Sequence, residues 1–179
     1  MTHLEEKRKN MIIIVLVVVT LIASMITIWM LFFQNKETVI SPDYAPQEVE
    51  KYAQSIPNDS NDKLDQPDGG GSVSLTYSKE VSIDLNKNIV SLLFANPGKS
   101  NQDMIVQIVI HDSVIVQSGL IKPGNQVKTL DLLDSSEKKL TEGIYDGKFN
   151  ILYYDQINGE KAIVNTEIPV TVTVEKWLQ

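Results

Sequence analysis

Hydrophobic and polar residues fall into three regimes along the chain. Residues 11–33, MIIIVLVVVTLIASMITIWMLFF, form an apolar run without a charged side chain. As a helix rising about 1.5 Å per residue this run reaches roughly 34 Å, enough to cross a hydrocarbon core of about 30 Å. Residues 34–71 turn to Pro, Asp, Asn, Ser and Gly, ending in NDSNDKLDQPDGGG, the composition of a solvated acidic linker. From residue 72 to 176 apolar and polar residues alternate in short runs separated by turn residues, the period of half-buried strands.

The alternating runs are SVSLTYS, EVSIDL, IVSLLFAN, DMIVQIVIH, VIVQS, QVKTLDL, YDGKFNILYYD and AIVNTEIPVTVTV. In DMIVQIVIH one side carries Met104, Val106, Ile108 and Ile110, and the other mixes Ile105 and Val109 with Gln107 and His111, so this strand is expected to be covered on most of both faces. The last run alternates strictly, Ile168, Val170, Val172 and Val174 against Pro169, Thr171 and Thr173. One face is therefore wet, and Pro169 predicts an edge strand or a bulge, because proline gives no donor to a ladder. Turns are expected at Asn96-Pro97-Gly98, Asp112-Ser113, Lys122-Pro123-Gly124-Asn125 and Asn158-Gly159. About a hundred residues in short strands, with no convincing helix, predict an all-β, immunoglobulin-like antiparallel β-sandwich. Tyr145, after a glycine at the head of a strand in LTEGIYDGKF, is the candidate for the tyrosine corner of such folds; the plain alternative is a ring packed at a strand end.

Inside the linker, APQEVEKYAQSIP predicts a short helix over 46–55 with Val49, Tyr52, Ala53 and Ile56 on one side, either transient or docked on a partner or on the domain. In the apolar run, Thr20, Ala23, Ser24 and Thr27 share one helical side, a face of small residues that permits close approach of another membrane helix. The run outlasts the 7–15 apolar residues of a signal peptide and no small-residue cleavage site follows it, so it is expected to remain as an anchor. Lys7, Arg8 and Lys9 precede the run, which places residues 1–10 in the cytoplasm and the rest outside the cell membrane. The chain stops at TVEKWLQ without a sorting signal, leaving the helix as the expected attachment to the bilayer. An exported domain with no cysteine fits a bacterium, especially one with a single membrane.

Chemistry adds exclusions. The net charge is −7 and Arg8 is the one arginine, which argues against a nucleic-acid partner. The tripeptide Gly98-Lys99-Ser100 in FANPGKSNQ ends like a phosphate loop, but Leu93 stands where the first glycine belongs and a strand follows instead of a helix, so no nucleotide is expected. His111, Asp112 and Ser113 spell a triad only as letters, since successive strand residues point to opposite faces. No Cys or His cluster is available for a metal, and Asp59, Asp62, Asp65 and Asp68 make an EF-hand with Leu64 at its turn glycine. No catalytic residue, cofactor or metal site is expected.

The phrases GGGSVSLTYSKEVSIDL, LLFANPGKSNQDMIVQIVI, SGLIKPGNQV, GIYDGKFNILYYD and NTEIPVTVTV resemble small single-pass, membrane-anchored surface proteins of Gram-positive bacteria, chiefly Firmicutes, over residues 69–174. That family has no assigned activity, so the resemblance implies location and fold and transfers no site residue. The expected function is a non-enzymatic interaction or accessory module of the cell envelope that binds another envelope protein. The alternatives are a receptor-like domain for a small glycan or peptide and, behind it, an envelope enzyme.

Overall fold

The structure, a computed structural model, describes residues 2–33, 41–60, 62–66, 68–134 and 136–176. It divides into two compact units, Met1–Val39 and Ile40–Gln179. The described residues of the first form one helix, α1 (Thr2–Phe33). Its stretch Asn10–Thr27 is long and apolar enough to cross a membrane. The hydroxyls of Thr20, Ser24 and Thr27 donate to the carbonyls of Leu16, Thr20 and Ala23 at 2.7–2.8 Å, so each polar side chain is satisfied by its own helix, as a low-dielectric surround requires.

The second unit is built from β1 (Gln54–Ser55), β2 (Thr76–Tyr77), β3 (Glu80–Asp84), β4 (Ile89–Asn96), β5 (Gln102–Ile110), β6 (Ser113–Gln117), β7 (Asn125–Asp131), β8 (Gly143–Asp155) and β9 (Thr166–Glu175). A single 3₁₀ turn, Ser136–Lys139, precedes β8. The strands hydrogen-bond in the order β1-β7-β4-β3-β9-β8-β5-β6, with β2 on β4. Three strand steps separate β4 from β8, about 14 Å in a flat sheet. Yet the rings of Phe94 (β4) and Phe149 (β8) meet edge to face at 6.0 Å. The sheet is therefore curled, with Val90, Phe94, Met104, Ile108, Phe149 and Val172 inside the curl. Its two ends approach where Val116 in β6 bridges Leu132, just past β7.

Two strand expectations change. The sheet is not wholly antiparallel: β3 runs parallel to β9, from Glu80↔Thr171 to Asp84↔Glu175, because the first long strand enters alongside the last. Nor is β9 an edge. It lies between β3 and β8, with Pro169 opposite Lys148. Thr171 N donates to Lys79 O, so its N–H faces the β3 side. Two residues earlier Pro169 faces the same way, before the β3 ladder begins at Thr171, and its missing donor leaves no ladder bond unmade.

The largest correction concerns residues 46–55. They form no helix and are held as a strap on the domain, folded once at Lys51-Tyr52 where Ala53 N donates to Glu50 O at 3.1 Å. Ala45 N donates to Gly159 O, Leu120 N to Glu48 O, Glu50 N to Leu120 O and Ile56 N to Gly124 O, at 2.7–3.1 Å. Gln54 and Ser55 pair with Gln126 and Asn125 of β7. A ten-residue helix is marginal by itself; here the same backbone donors and acceptors find partners along the sheet. Beneath the strap lies a second cluster, Ile105, Leu120, Leu152 and Tyr154, against which Ala45 packs. This is why β5 is buried at every position from Asp103 to Ile110, as its two-sided apolar pattern implies.

Candidate interaction surface

The Gly-Lys-Ser loop closes on the chain's own groups. Gly98 N donates to the Asp59 carboxylate at 2.5 Å, so an internal anion takes the amide that a phosphate loop would present. Ser100 is fully buried: its hydroxyl accepts from Ser74 N at 2.9 Å and its carbonyl accepts from Lys63 Nζ at 2.7 Å. Leu64 N adds a bond to Lys99 O at 2.9 Å. The linker is thus partly docked here, through Asp59, Lys63 and Leu64. Lys99 remains exposed.

His111 and Asp112 have φ of 47° and 58° and form the two-residue turn between β5 and β6. The His111 ring sits edge-on to Tyr145 at 5.8 Å. Tyr145 Oη donates to Thr141 O at 2.8 Å and accepts from Thr141 N at 3.1 Å. The bonds from the Thr141 side chain and then its amide hold the Tyr145 phenol below its ordinary value, by stabilising the phenolate. Among the described residues no group of three or more His, Asp or Glu is placed to hold a metal.

Tyr153 and Tyr154, the aromatic pair of β8, are both buried, Tyr153 inside the curl and Tyr154 beneath the strap. Tyr153 Oη bonds Thr166 Oγ1 at 2.7 Å, and Tyr154 Oη donates to Pro42 O at 3.1 Å. Burial, followed by the nearby Asp43 charge, pushes the Tyr154 phenol up to about 12. Neither ring is available to stack on a ligand.

The two outer faces of the curled sheet differ. That of β5 and β8 is covered by the strap. That of β7, β4, β3 and β9 carries a row of hydroxyls, since Thr129 pairs with Ser91, Ser91 with Ser82 and Ser82 with Thr173. Strict alternation produces the row: the intervening Val81, Ile83, Val90, Leu92, Val172 and Val174 are all buried. A shallow hollow of about 600 Å³ lies here, lined by Ser82, Ser91, Thr171 and Thr173 with the carboxylates of Glu80 and Glu175. It offers hydrogen-bond acceptors and donors on a rigid ladder and no aromatic side chain.

Three features escape the sequence. Gln107, buried in β5, accepts from Asn150 Nδ2 at 2.6 Å and donates to Gln117 Oε1 at 2.8 Å, an amide ladder across β8, β5 and β6. Glu50 is buried and its carboxylate accepts from Tyr52 N at 2.9 Å and Gly119 N at 2.6 Å. Tyr52 Oη reaches Asp131 at 2.9 Å and Lys51 pairs with the same carboxylate. The Lys51 hydrogen bond, then that of Tyr52, holds Asp131 below the ordinary carboxylate range.

No protein-family model matches the sequence, and no curated protein matches it significantly. Among solved structures it is similar to AggA, the major subunit of aggregative adherence fimbriae type I from Escherichia coli, at 8% identity and a TM-score of 0.31 over 63% of this chain and 100% of that one. It is also similar to the CooA pilin subunit from enterotoxigenic Escherichia coli, at 13% identity and a TM-score of 0.24 over 58% of this chain and 99% of that one. At such values neither likeness assigns a role to any residue.

Proposed function

We propose that the chain is a single-pass, membrane-anchored module of a bacterial cell envelope, Gram-positive in type, that works without catalysis by binding another envelope protein. Its N-terminus is cytoplasmic and its β domain lies outside. The domain is an immunoglobulin-like sandwich, a reading supported by the curl that sets β4 and β7 against β5 and β8 and by the Tyr145 bonds to Thr141 at the head of β8. The face of Thr20, Ala23, Ser24 and Thr27 is the proposed contact for a second membrane helix, with its hydroxyls already bonded inside α1.

The observation that carries the binding role is the unequal covering of the two outer faces. The chain uses its own strap on the apolar face of β5 and β8 and leaves the hydroxyl row Thr129, Ser91, Ser82 and Thr173 open. Such a face suits a protein partner offering backbone or cationic donors. A glycan receptor is less well served, since the hollow is lined without an aromatic ring.

A photo-cross-linking residue at Ser91, used in intact cells, should capture one envelope protein. Adding Ser82→Arg and Thr173→Arg, whose side chains point away from the core, should abolish capture while the domain stays folded. Recovery of this chain alone would replace the reading with self-association, and capture indifferent to the two arginines would sink it.

A further inference from the structure

Of the exposed large apolar residues described in the β domain, Ile144 in β8 and Val49 in the strap stand alone, and the other four gather at one place. Ile157 is 97% exposed, Ile163 103%, Val164 72% and Tyr44 61%. The first three lie in the connection between β8 and β9, and Tyr44 bridges Glu160 of that connection. Tyr44 and Ile163 line a common hollow with Asp43, Glu160 and Lys161. Single exposed apolar residues are ordinary, but three β-branched side chains within eight positions, projecting fully into water, are a cost without a folding benefit.

The same end of the domain is where the chain arrives from α1. Lys161 Nζ donates to Ser41 Oγ at 2.5 Å, Lys161 N to Asp43 O at 2.9 Å and Ala45 N to Gly159 O at 2.7 Å. Eight Cα steps separate Ser41 from Phe33, the last residue of the apolar helix. They cannot span more than about 29 Å even when fully extended. The exposed patch is therefore tethered close to wherever α1 leaves the lipid, and a tethered site meets its surface at high effective concentration.

We propose that Ile157, Ile163 and Val164, with Tyr44 at the headgroup level, insert into the interfacial region of the bilayer that α1 crosses, giving the domain a second membrane contact and a fixed orientation on it. The occupant is lipid because branched aliphatic side chains beside a tyrosine suit the acyl–headgroup boundary, where an aliphatic tip enters and a phenol stays wet. Asp43, Asp155 and Glu160 border the patch, so the contact is apolar and not a charge attraction to anionic lipid. The inference rests on the membrane anchor of the proposed function and is independent of the protein partner.

The chain has no cysteine, so single cysteines report without background. The full chain is reconstituted at about one copy per vesicle of phosphatidylethanolamine and phosphatidylglycerol containing nitroxide-labelled lipid, with a fluorophore at Asn165→Cys, Glu142→Cys or Val17→Cys. Asn165 adjoins the patch, whereas Glu142 lies at the opposite end of β8. Quenching at Asn165→Cys should exceed that at Glu142→Cys by about threefold or more. Adding Ile157→Ser, Ile163→Ser and Val164→Ser should return it to the Glu142 level without changing the melting temperature, since all three side chains face water. Equal quenching at Asn165 and Glu142 with strong quenching at Val17 overturns the contact and leaves the anchor standing. An unquenched Val17 overturns both. Patch-dependent energy transfer between copies at higher protein density, with no lipid quenching, assigns the patch to a second copy of the chain and overturns the proposal.

Discussion

Glu50 and Gly119 act as a clasp at the scale of single residues. The Glu50 carboxylate accepts from Gly119 N at 2.6 Å, and the Glu50 backbone lies so near that a Cβ on Gly119 would sit 2.9 Å from its N and Cα. Gly119 is small because another backbone crosses it. Gly119→Ala is expected to push the strap away at about 1–3 kcal/mol, the usual cost of overpacking. Glu50→Ala leaves the half-buried Gly119 amide without its acceptor and should cost about 1 kcal/mol as well. Because both changes release one contact, the double variant should lose less than the sum, and additive losses in urea titrations followed by circular dichroism would contradict the clasp. Neither role is legible in the sequence. Glu50 is one acid among many in the acidic stretch, and its partner lies 69 residues away, beyond any local pattern. Tyr154 supplies a pH test. A phenol raised to about 12 in the fold, against about 10 when unfolded, contributes stability that is complete below pH 10 and lost as pH rises through about 12. Tyr154→Phe should flatten the alkaline loss over that window while costing about 1 kcal/mol at neutral pH through the missing bond to Pro42 O. An unchanged alkaline slope would show that Tyr154 titrates as it does unfolded.

Among the elements, the strap decides how far the sequence can be read. The long strands β3 to β9 are visible in the period-2 alternation because each buries one face against a core inside the curl, and that constraint is written locally. The strap has no such period. Val49, Tyr52, Ala53 and Ile56 fall at helical spacing, yet Val49 is exposed and the segment is not helical, because its bonding partners belong to residues 120–126 and 159. Likewise SVSLTYS alternates along its length but pairs only at Thr76 and Tyr77, where β4 still has a free edge. Pro169 reads correctly as a residue without a ladder donor and wrongly as an edge, since the ladder on its side starts two residues later. Deleting residues 41–56 should expose Ile105, Leu120, Leu152 and Tyr154 together. The expected result is a smaller urea m-value and new binding of a hydrophobic dye by a domain that keeps its β spectrum. A deletion that leaves both unchanged would mean that the strap rests on the sheet without protecting it.

For the whole molecule, the proposed disposition across the membrane rests on charge placed before a long apolar helix. Lys7, Arg8 and Lys9 precede the apolar stretch of α1, while the domain that follows is acidic and bears no arginine, so the proposal keeps the basic flank inside the cell and puts the domain outside. The fold has no cysteine and is held by the curled core and the strap. The proposed orientation thus rests on three residues at one end of the chain. Glu142→Cys, exposed at the head of β8, should react with a membrane-impermeant maleimide in intact cells, and Thr2→Cys only after permeabilisation. Replacing Lys7, Arg8 and Lys9 by glutamine should reduce the Glu142 labelling in intact cells, since the determinant of topology is removed while the helix keeps its apolar length. Labelling at Thr2 but not at Glu142 in intact cells would reverse the orientation and move the hydroxyl face of β7, β4, β3 and β9, with any partner it binds, to the cytoplasmic side.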